Sequence, residues 1–193
     1  MKKFILLFLS FASVINFSNA QWTKLCPLPT ENNLLSVTFP SATTGYAVGG
    51  NGVLIKTTNG GTDWSVLTSV TSNDLNSVYF TDVNTGYAAG WISVIKTVNG
   101  GATWTVLNTG VNMFYDIYFT SASVGYAVGY YGVVLKTTDA GNTWNQMTTG
   151  SGSYLHSICF TDANTGYVVG TGGTILKTTT AGTSWVTQTS NAS

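Results

Sequence analysis

The sequence contains no arginine, and charge of either sign is rare in it. Only 7% of its 193 residues are charged, and its seven lysines are balanced by seven acids. A nucleic-acid-binding protein needs a basic stripe, and sites for phosphate or carboxylate commonly use the two-pronged guanidinium of arginine. The composition therefore excludes nucleic acid as a partner.

Cysteine and histidine are almost as scarce. The two cysteines, Cys26 and Cys159, could form a disulfide in an exported chain or could be buried as small apolar side chains, and their spacing does not decide between these. His156 is the only histidine and lacks the cysteine or carboxylate neighbours of a metal or catalytic site. We therefore expect no metal and no cofactor.

Only one long apolar stretch is present, and it lies at the N terminus. Residues 4–17 are apolar, two lysines precede them, and Ser18-Asn19-Ala20 offers small residues for cleavage. This pattern predicts a signal peptide over residues 1–20 and no membrane span. We expect residues 21–193 to be exported to the periplasm, the cell surface or the medium, as a single domain.

A four-fold repeat with a period of about 40 residues fills this domain. Each copy begins its conserved part with a Gly-Tyr pair, at Gly45, Gly86, Gly125 and Gly166. Each copy then ends with a tryptophan, at Trp64, Trp104, Trp144 and Trp185. A repeat that keeps glycines and aromatic residues specifies turns and packing rather than chemistry.

Each repeat is predicted to contain four short strands rich in β-branched and aromatic residues. The repeats cover approximately residues 33–68, 74–108, 113–148 and 154–189, and Trp22 marks an extra strand at 21–26. Four antiparallel strands in one such period are typical of a propeller blade. The sequence therefore predicts an all-β, propeller-like array of four four-stranded antiparallel blades. It forms either a closed four-bladed ring or an open arc, and an open arc would allow copies of the chain to associate.

The turn between the third and fourth strands is the most specific local motif, and it spans 57–64, 97–104, 137–144 and 178–185. In such a turn an Asp or Asn side chain accepts hydrogen bonds from backbone amides two residues on, and glycine permits positive φ. We expect the tryptophan to anchor the hairpin. The residues assigned to this structural role are Asn59, Gly61, Trp64, Asn99, Gly101, Trp104, Asp139, Gly141, Trp144, Gly182 and Trp185.

This turn resembles the Asp-box, or BNR, repeat. Together with the Gly-Tyr strand and the Lys-Thr before each box, the domain is similar to the photosystem II assembly/stability-factor type of Asp-box propeller. The resemblance implies a non-enzymatic module that binds or assembles other proteins. The photosynthetic members carry an arginine patch for their partners, and this chain has no arginine.

Asp-boxes also occur in sialidases and other glycosidases, which makes a carbohydrate-active enzyme or a glycan-binding accessory module the alternative. A sialidase needs an arginine triad, so it is excluded here. Other glycosidases use two carboxyl groups that flank the scissile bond. Asp116 is the one acid inside an apolar strand, where the other repeats have serine. We expect it to accept hydrogen bonds from neighbouring groups rather than to catalyse.

The repeats differ most at the turns between the second and third strands and at the connections between blades. Aromatic side chains occur there in place of small polar ones: Trp91, Tyr115, Tyr130 and Tyr131, with His156 nearby. These residues are predicted either to form a binding patch for a protein or a glycan, or to fill a channel or edge of the propeller. We therefore interpret the chain as an exported binding or assembly module, or as part of a larger surface protein.

Overall fold

The computed structural model describes residues 28–91, 93–107, 109–110 and 113–189. The predicted signal peptide at 1–20, the extra strand at 21–26 with Trp22, and Cys26 lie outside the described residues. Cys159 is exposed and its thiol is free. No helix in the described ranges is long and apolar enough to span a lipid bilayer.

Sixteen strands in the described ranges form four antiparallel sheets, which we call blades 1 to 4. Blade 1 contains β1 (Leu34–Thr38), β2 (Gly45–Gly49), β3 (Leu54–Thr57) and β4 (Ser65–Val66). Blade 2 contains β5 (Leu75–Phe80), β6 (Gly86–Gly90), β7 (Val94–Thr97) and β8 (Thr105–Leu107). Blade 3 contains β9 (Phe114–Phe119), β10 (Gly125–Gly129), β11 (Val134–Thr137) and β12 (Asn145–Met147). Blade 4 contains β13 (Leu155–Phe160), β14 (Gly166–Gly170), β15 (Ile175–Thr178) and β16 (Val186–Thr187).

The strands of each blade pair in chain order, so every connection within a blade is a hairpin. This confirms the predicted all-β array of four-stranded blades. A single 3₁₀ turn precedes the third strand of blades 1, 3 and 4. The amide of the residue before the strand closes this turn, as Val53 N does on Gly50 O.

Neighbouring blades pack face to face, and their first strands β1, β5, β9 and β13 lie side by side. Three mixed hydrophobic clusters join blade 1 to blade 2, blade 2 to blade 3, and blade 3 to blade 4. On blade 1 the outward face leaves apolar side chains such as Val37 exposed. The blades therefore form an open arc, and the closed four-bladed ring that the repeat also allowed is not formed.

The Gly-Tyr pairs build these interfaces. Tyr46 of blade 1 is fully buried and stacks on Phe80 of blade 2, with ring centroids 3.9 Å apart. Trp104 meets the same phenylalanine edge-on at 6.1 Å. The residue before the tyrosine of blade 2 is a glycine, Gly86, because its Cα lies against the Phe80 ring. A Cβ at this position would approach the ring to 2.4 Å. The constant residues of the repeat are thus a packing unit.

A hydrogen-bonded Tyr-Lys pair ties each blade to the next. The Tyr46 hydroxyl and Lys56 Nζ donate to the same carbonyl oxygen, that of Gly100 in blade 2, at 2.9 and 2.7 Å. The same pairs recur as Tyr87 and Lys96 on Ala140 O, and as Tyr126 and Lys136 on Ala181 O. The ammonium groups of these lysines therefore bond across each blade interface.

Candidate binding face

The hairpins place two chemically different sets of loops at opposite ends of the blades. One end, which we call the loop face, carries the hairpin tips between the second and third strands and the connections between blades. The two kinds of loop are hydrogen-bonded to each other; for example, the Trp91 amide donates to the Asp74 carbonyl. The other end, which we call the box face, carries the turns that lead into each tryptophan. These turns are hydrogen-bonded to the turns between the first and second strands; for example, the Gly100 amide donates to the Asn84 carbonyl. The predicted aromatic residues lie on the first face and the box turns on the second.

On the box face the motif side chains hold the turn through hydrogen bonds. Asp139 Oδ1 accepts from the amide of Thr143 at 2.8 Å, four residues on rather than two as expected. Asn59 and Asn99 accept equivalent amide bonds at 2.9 Å. Hydrogen bonds from Thr143 lower the pKa of Asp139 to about 2, the bond from its hydroxyl having the larger effect and the bond from its amide the next.

The box glycines and tryptophans complete the turn. Gly61, Gly101, Gly141 and Gly182 all have positive φ, between 78° and 88°. Trp104 and Trp185 are buried, whereas Trp64 and Trp144 are half-buried. All four tryptophans pack on the hydrophobic clusters of the blades.

The aspartates of the arc are engaged in structural hydrogen bonds. Asp116 Oδ1 accepts a hydrogen bond from the Ser77 hydroxyl of blade 2 at 2.7 Å. Its Oδ2 accepts two bonds from blade 4, from the Ser157 hydroxyl at 3.0 Å and from the Ile158 amide at 2.9 Å. This geometry confirms that Asp116 accepts hydrogen bonds from its neighbours, and it links three blades. Asp82 caps its own turn, and the amides of Asn84 and Thr85 lower its pKa.

No group of three or more His, Cys, Asp or Glu side chains in the described part of the chain is placed to hold a metal ion.

On the loop face, five rings from blades 3 and 4 form one group, which we call the aromatic cluster: Tyr115, Tyr130, Tyr131, Tyr154 and His156. Tyr130 lies at its centre and stacks on Tyr154, with centroids 4.1 Å apart, and on Tyr115 at 5.7 Å. Tyr131 meets Tyr154 edge-on at 5.3 Å. His156 lies 4.7 Å from Tyr115. The structure therefore brings four of the predicted residues together.

Tyr154 completes the cluster although the sequence did not single it out as a site residue. It lies in the serine-rich connection into blade 4, and its backbone carbonyl accepts a hydrogen bond from Thr171 in the adjacent hairpin. The one sequence signal for it is its position, since it immediately precedes a first strand, next to a hairpin tip.

Tyr131 has an unusual conformation for its residue type. Its φ is 50°, in the left-handed region, and the equivalent positions hold Asn51 at 55° and Gly172 at 66°. Asparagine and glycine tolerate this region, whereas a bulky side chain there is an outlier. Tyr131 is also 70% exposed, so burial does not compensate for the strain.

The phenols of Tyr115 and Tyr154 remain uncharged well above neutral pH. Burial, and then the hydrogen bond with Tyr130, raises the pKa of Tyr115 to about 12. The hydrogen bond with Tyr131, followed by burial, raises the pKa of Tyr154. Tyr115 and Tyr154 thus offer ring faces and neutral hydroxyl groups, which suit uncharged ligands.

Trp91 lies on the same face but outside the cluster. Its residue pairs in a β-bridge with Met113, at the start of blade 3, and its side chain is half exposed, at 50%. Within the described ranges its indole makes no ring contact with the cluster tyrosines. The structure therefore places Trp91 as a separate exposed ring on the loop face.

The model of the family described as Photosynthesis system II assembly factor YCF48 matches residues 14–113 and 102–192 of this sequence. The chain belongs to this family. The comparison with curated proteins gave no match.

Solved structures agree on the fold. YCF48 bound to D1 peptide is 22% identical with a TM-score of 0.71, over 85% of this chain and 56% of that one. YCF48 from Cyanidioschyzon merolae is 16% identical with a TM-score of 0.66, over 86% of this chain and 59% of that one. An ancestral GH74 enzyme is 18% identical with a TM-score of 0.74, over 83% of this chain but 24% of that one. The chain therefore spans little more than half of the YCF48 structures and about a quarter of the GH74 enzyme.

Proposed function

We propose that this chain is an exported, non-enzymatic binding module whose loop face binds a protein partner through the aromatic cluster and Trp91. Membership of the YCF48 family supports a binding role, and one YCF48 structure holds a D1 peptide. The constant residues of the repeat are engaged in packing and turns. The residues that differ between repeats, chiefly on the loop face, carry the binding.

The observation that carries this proposal is the strained, exposed Tyr131. A tyrosine in the left-handed region is less stable than asparagine or glycine by about 1 kcal/mol or more. Strain of this kind concentrates at binding and catalytic sites. Tyrosine and tryptophan are also the residues that most often dominate binding energy, since they combine a large apolar ring with a polar tip.

The chemistry of the face indicates an extended, largely uncharged protein segment. Beside Tyr131 runs a shallow groove of about 370 Å³ with polar lining from Gln146, Thr149 and Ser151. Stacked rings can contact the apolar side chains of an extended peptide, and the neighbouring hydroxyl groups can hydrogen-bond its backbone amides. The chain has no arginine to bind a carboxylate, so an acidic segment is disfavoured.

The experiment is a selection from a peptide-display library on immobilised chain, run in parallel with a glycan array. We expect enriched peptides that are rich in apolar and amide side chains, and their binding should fall about tenfold or more in Trp91→Ala and in Tyr131→Asn. Val98→Ala is the matched control, because Val98 is an exposed apolar residue, at 65%, on the box face.

Two outcomes contradict the proposal. Glycan binding that depends on Tyr131, with no peptide enriched, would favour the glycan-binding alternative over a protein partner. Peptide binding that is equal in all three variants would place the partner site away from the loop face.

A further inference from the structure

Blade 1 exposes a face that is buried in every other blade. Leu34, Val37 and Phe39 are 45%, 61% and 46% exposed. Their equivalents in blade 2 are Leu75, Val78 and Phe80, at 1%, 5% and 8%. Leu34 and Val37, together with Ile55 and Trp64, line an apolar groove of about 520 Å³. We call this surface the blade-1 end.

Blade 4 exposes the opposite kind of face, the blade-4 end. Val169 is 44% exposed, whereas its equivalents Val48 and Val128 are fully buried. Lys177 Nζ lies 5.5 Å above the ring centre of Tyr167, as Lys56 lies 5.3 Å above Tyr46. Within the described residues, the Tyr167 hydroxyl and Lys177 Nζ donate no hydrogen bond. Each of the other three Tyr-Lys pairs donates to a carbonyl of the next blade, and this pair has no such acceptor.

The blade-1 end carries the missing groups. Gly60 is the repeat equivalent of Gly100, whose carbonyl receives Tyr46 and Lys56. The Gly60 carbonyl accepts no hydrogen bond from any residue in the described ranges. Phe39 is likewise the equivalent of Phe80, the ring that stacks on Tyr46. The two ends therefore hold the two halves of one blade interface.

The backbone repeats this complementarity. The Val78 amide donates to Ser36 Oγ of the preceding blade, and the Ile158 amide donates to Asp116 in the same way. At the two ends, the equivalent donor is the Val37 amide and the equivalent acceptor is Ser157 Oγ. A second copy would thus extend an interface that the chain already forms three times.

We propose that a second copy of this chain docks its blade-1 end on the blade-4 end of the first, head to tail, with Tyr167 and Lys177 bonding the Gly60 carbonyl of the other copy. Head-to-tail contacts close into rings when the rotation per subunit allows it. Two four-bladed arcs would make an eight-bladed ring, within the range of about four to eight blades found in propellers. The association uses neither the aromatic cluster nor Trp91, so it stands independently of the proposed function.

The test is sedimentation velocity of the purified chain over a wide concentration range, with lysine substitutions at each end. We expect a dimer, and we expect Val37→Lys and Val169→Lys each to be monomeric, because the lysine would be unpaired at a buried interface. Both valines are exposed in the single chain, so melting temperatures should stay near wild type. Val66→Lys is the matched control. Val66 on the outermost strand β4 is equally exposed, at 60%, and its equivalent Val106 stays 56% exposed although blade 1 packs against blade 2, so Val66 should lie outside the new interface.

Mixing the two variants separates this interface from any symmetric one. Each variant keeps one intact end, so an equimolar mixture should form a pair joined by a single interface, whereas neither variant pairs alone. Tyr167→Phe should weaken wild-type dimerisation about 25-fold, because the closed ring loses one hydrogen bond, worth about fivefold, at each of its two interfaces.

Three results would overturn the proposal. One is a chain that stays monomeric at every concentration, whether its end faces stay open or residues 21–27 cover the blade-1 end. Another is a dimer that survives both lysine variants. The third is a mixture of the two variants that does not pair.

Discussion

Exchanging residues between two equivalent hairpin tips tests whether Tyr131 serves binding rather than folding. Tyr131→Asn should relieve about 1 kcal/mol of backbone strain in the folded state, because asparagine tolerates positive φ. The same change removes edge contacts to Tyr130 and Tyr154, each worth about 0.5 kcal/mol. These terms nearly cancel, so we expect the free energy of unfolding to stay within about 1 kcal/mol of wild type.

The reverse substitution, Asn51→Tyr in blade 1, supplies the matched control. It introduces the left-handed strain and removes the hydrogen bond from Asn51 Nδ2 to Asn32 Oδ1, which is 2.9 Å long. We expect it to lower the free energy of unfolding by about 1–2 kcal/mol.

Urea unfolding followed by tryptophan fluorescence measures both variants, with the m-value as a check that the transition is unchanged in kind. A loss of more than about 2 kcal/mol in Tyr131→Asn would refute the reasoning, because it would show that the ring stabilises the fold. A neutral Asn51→Tyr would refute the strain argument itself.

Three further predictions concern residues that hold the blades and the box turns together. Tyr87→Phe removes one hydrogen bond to a carbonyl that Lys96 still satisfies, so unfolding should become about 1 kcal/mol easier and the melting temperature should fall by about 2–4 °C, whereas Tyr167→Phe should leave the monomer unchanged. The depressed pKa of Asp139 means that its contribution is complete above its unfolded pKa and is lost as pH falls through about 2. Acid unfolding curves of Asp139→Asn should therefore lack this component. Asp116→Ala leaves hydroxyl and amide donors of two neighbouring blades unpaired and should lower the free energy of unfolding by about 3 kcal/mol, while Asp116→Ser, which restores the residue of the other repeats, should lower it less in the same urea assay.

Much of the fold could be predicted because its determinants are local and repeated. Runs of β-branched and aromatic residues, glycine-rich turns and the closing tryptophan each act within a few residues, and they predict the four strands of each blade. Open or closed geometry could not be predicted, because it depends on a small rotation at each blade interface that accumulates along the arc.

The candidate site was predicted only in part. The aromatic residues at the hairpin tips stood out because the other repeats have small polar residues there. Tyr154 did not stand out, because its contact with Tyr130 joins two blades and depends on how they pack. The Tyr-Lys pairs were missed for the same reason, since the Tyr46 hydroxyl and Gly100 carbonyl are 54 residues apart in sequence.

The most direct test of the central claim is calorimetric titration of the wild-type chain and Tyr131→Asn with the peptide that the library selects, with the melting temperature of each protein measured alongside. The account predicts that Tyr131→Asn binds about tenfold more weakly or worse while its melting temperature stays close to wild type. Unchanged affinity together with a large fall in melting temperature would contradict it, because Tyr131 would then belong to the fold and not to the binding face.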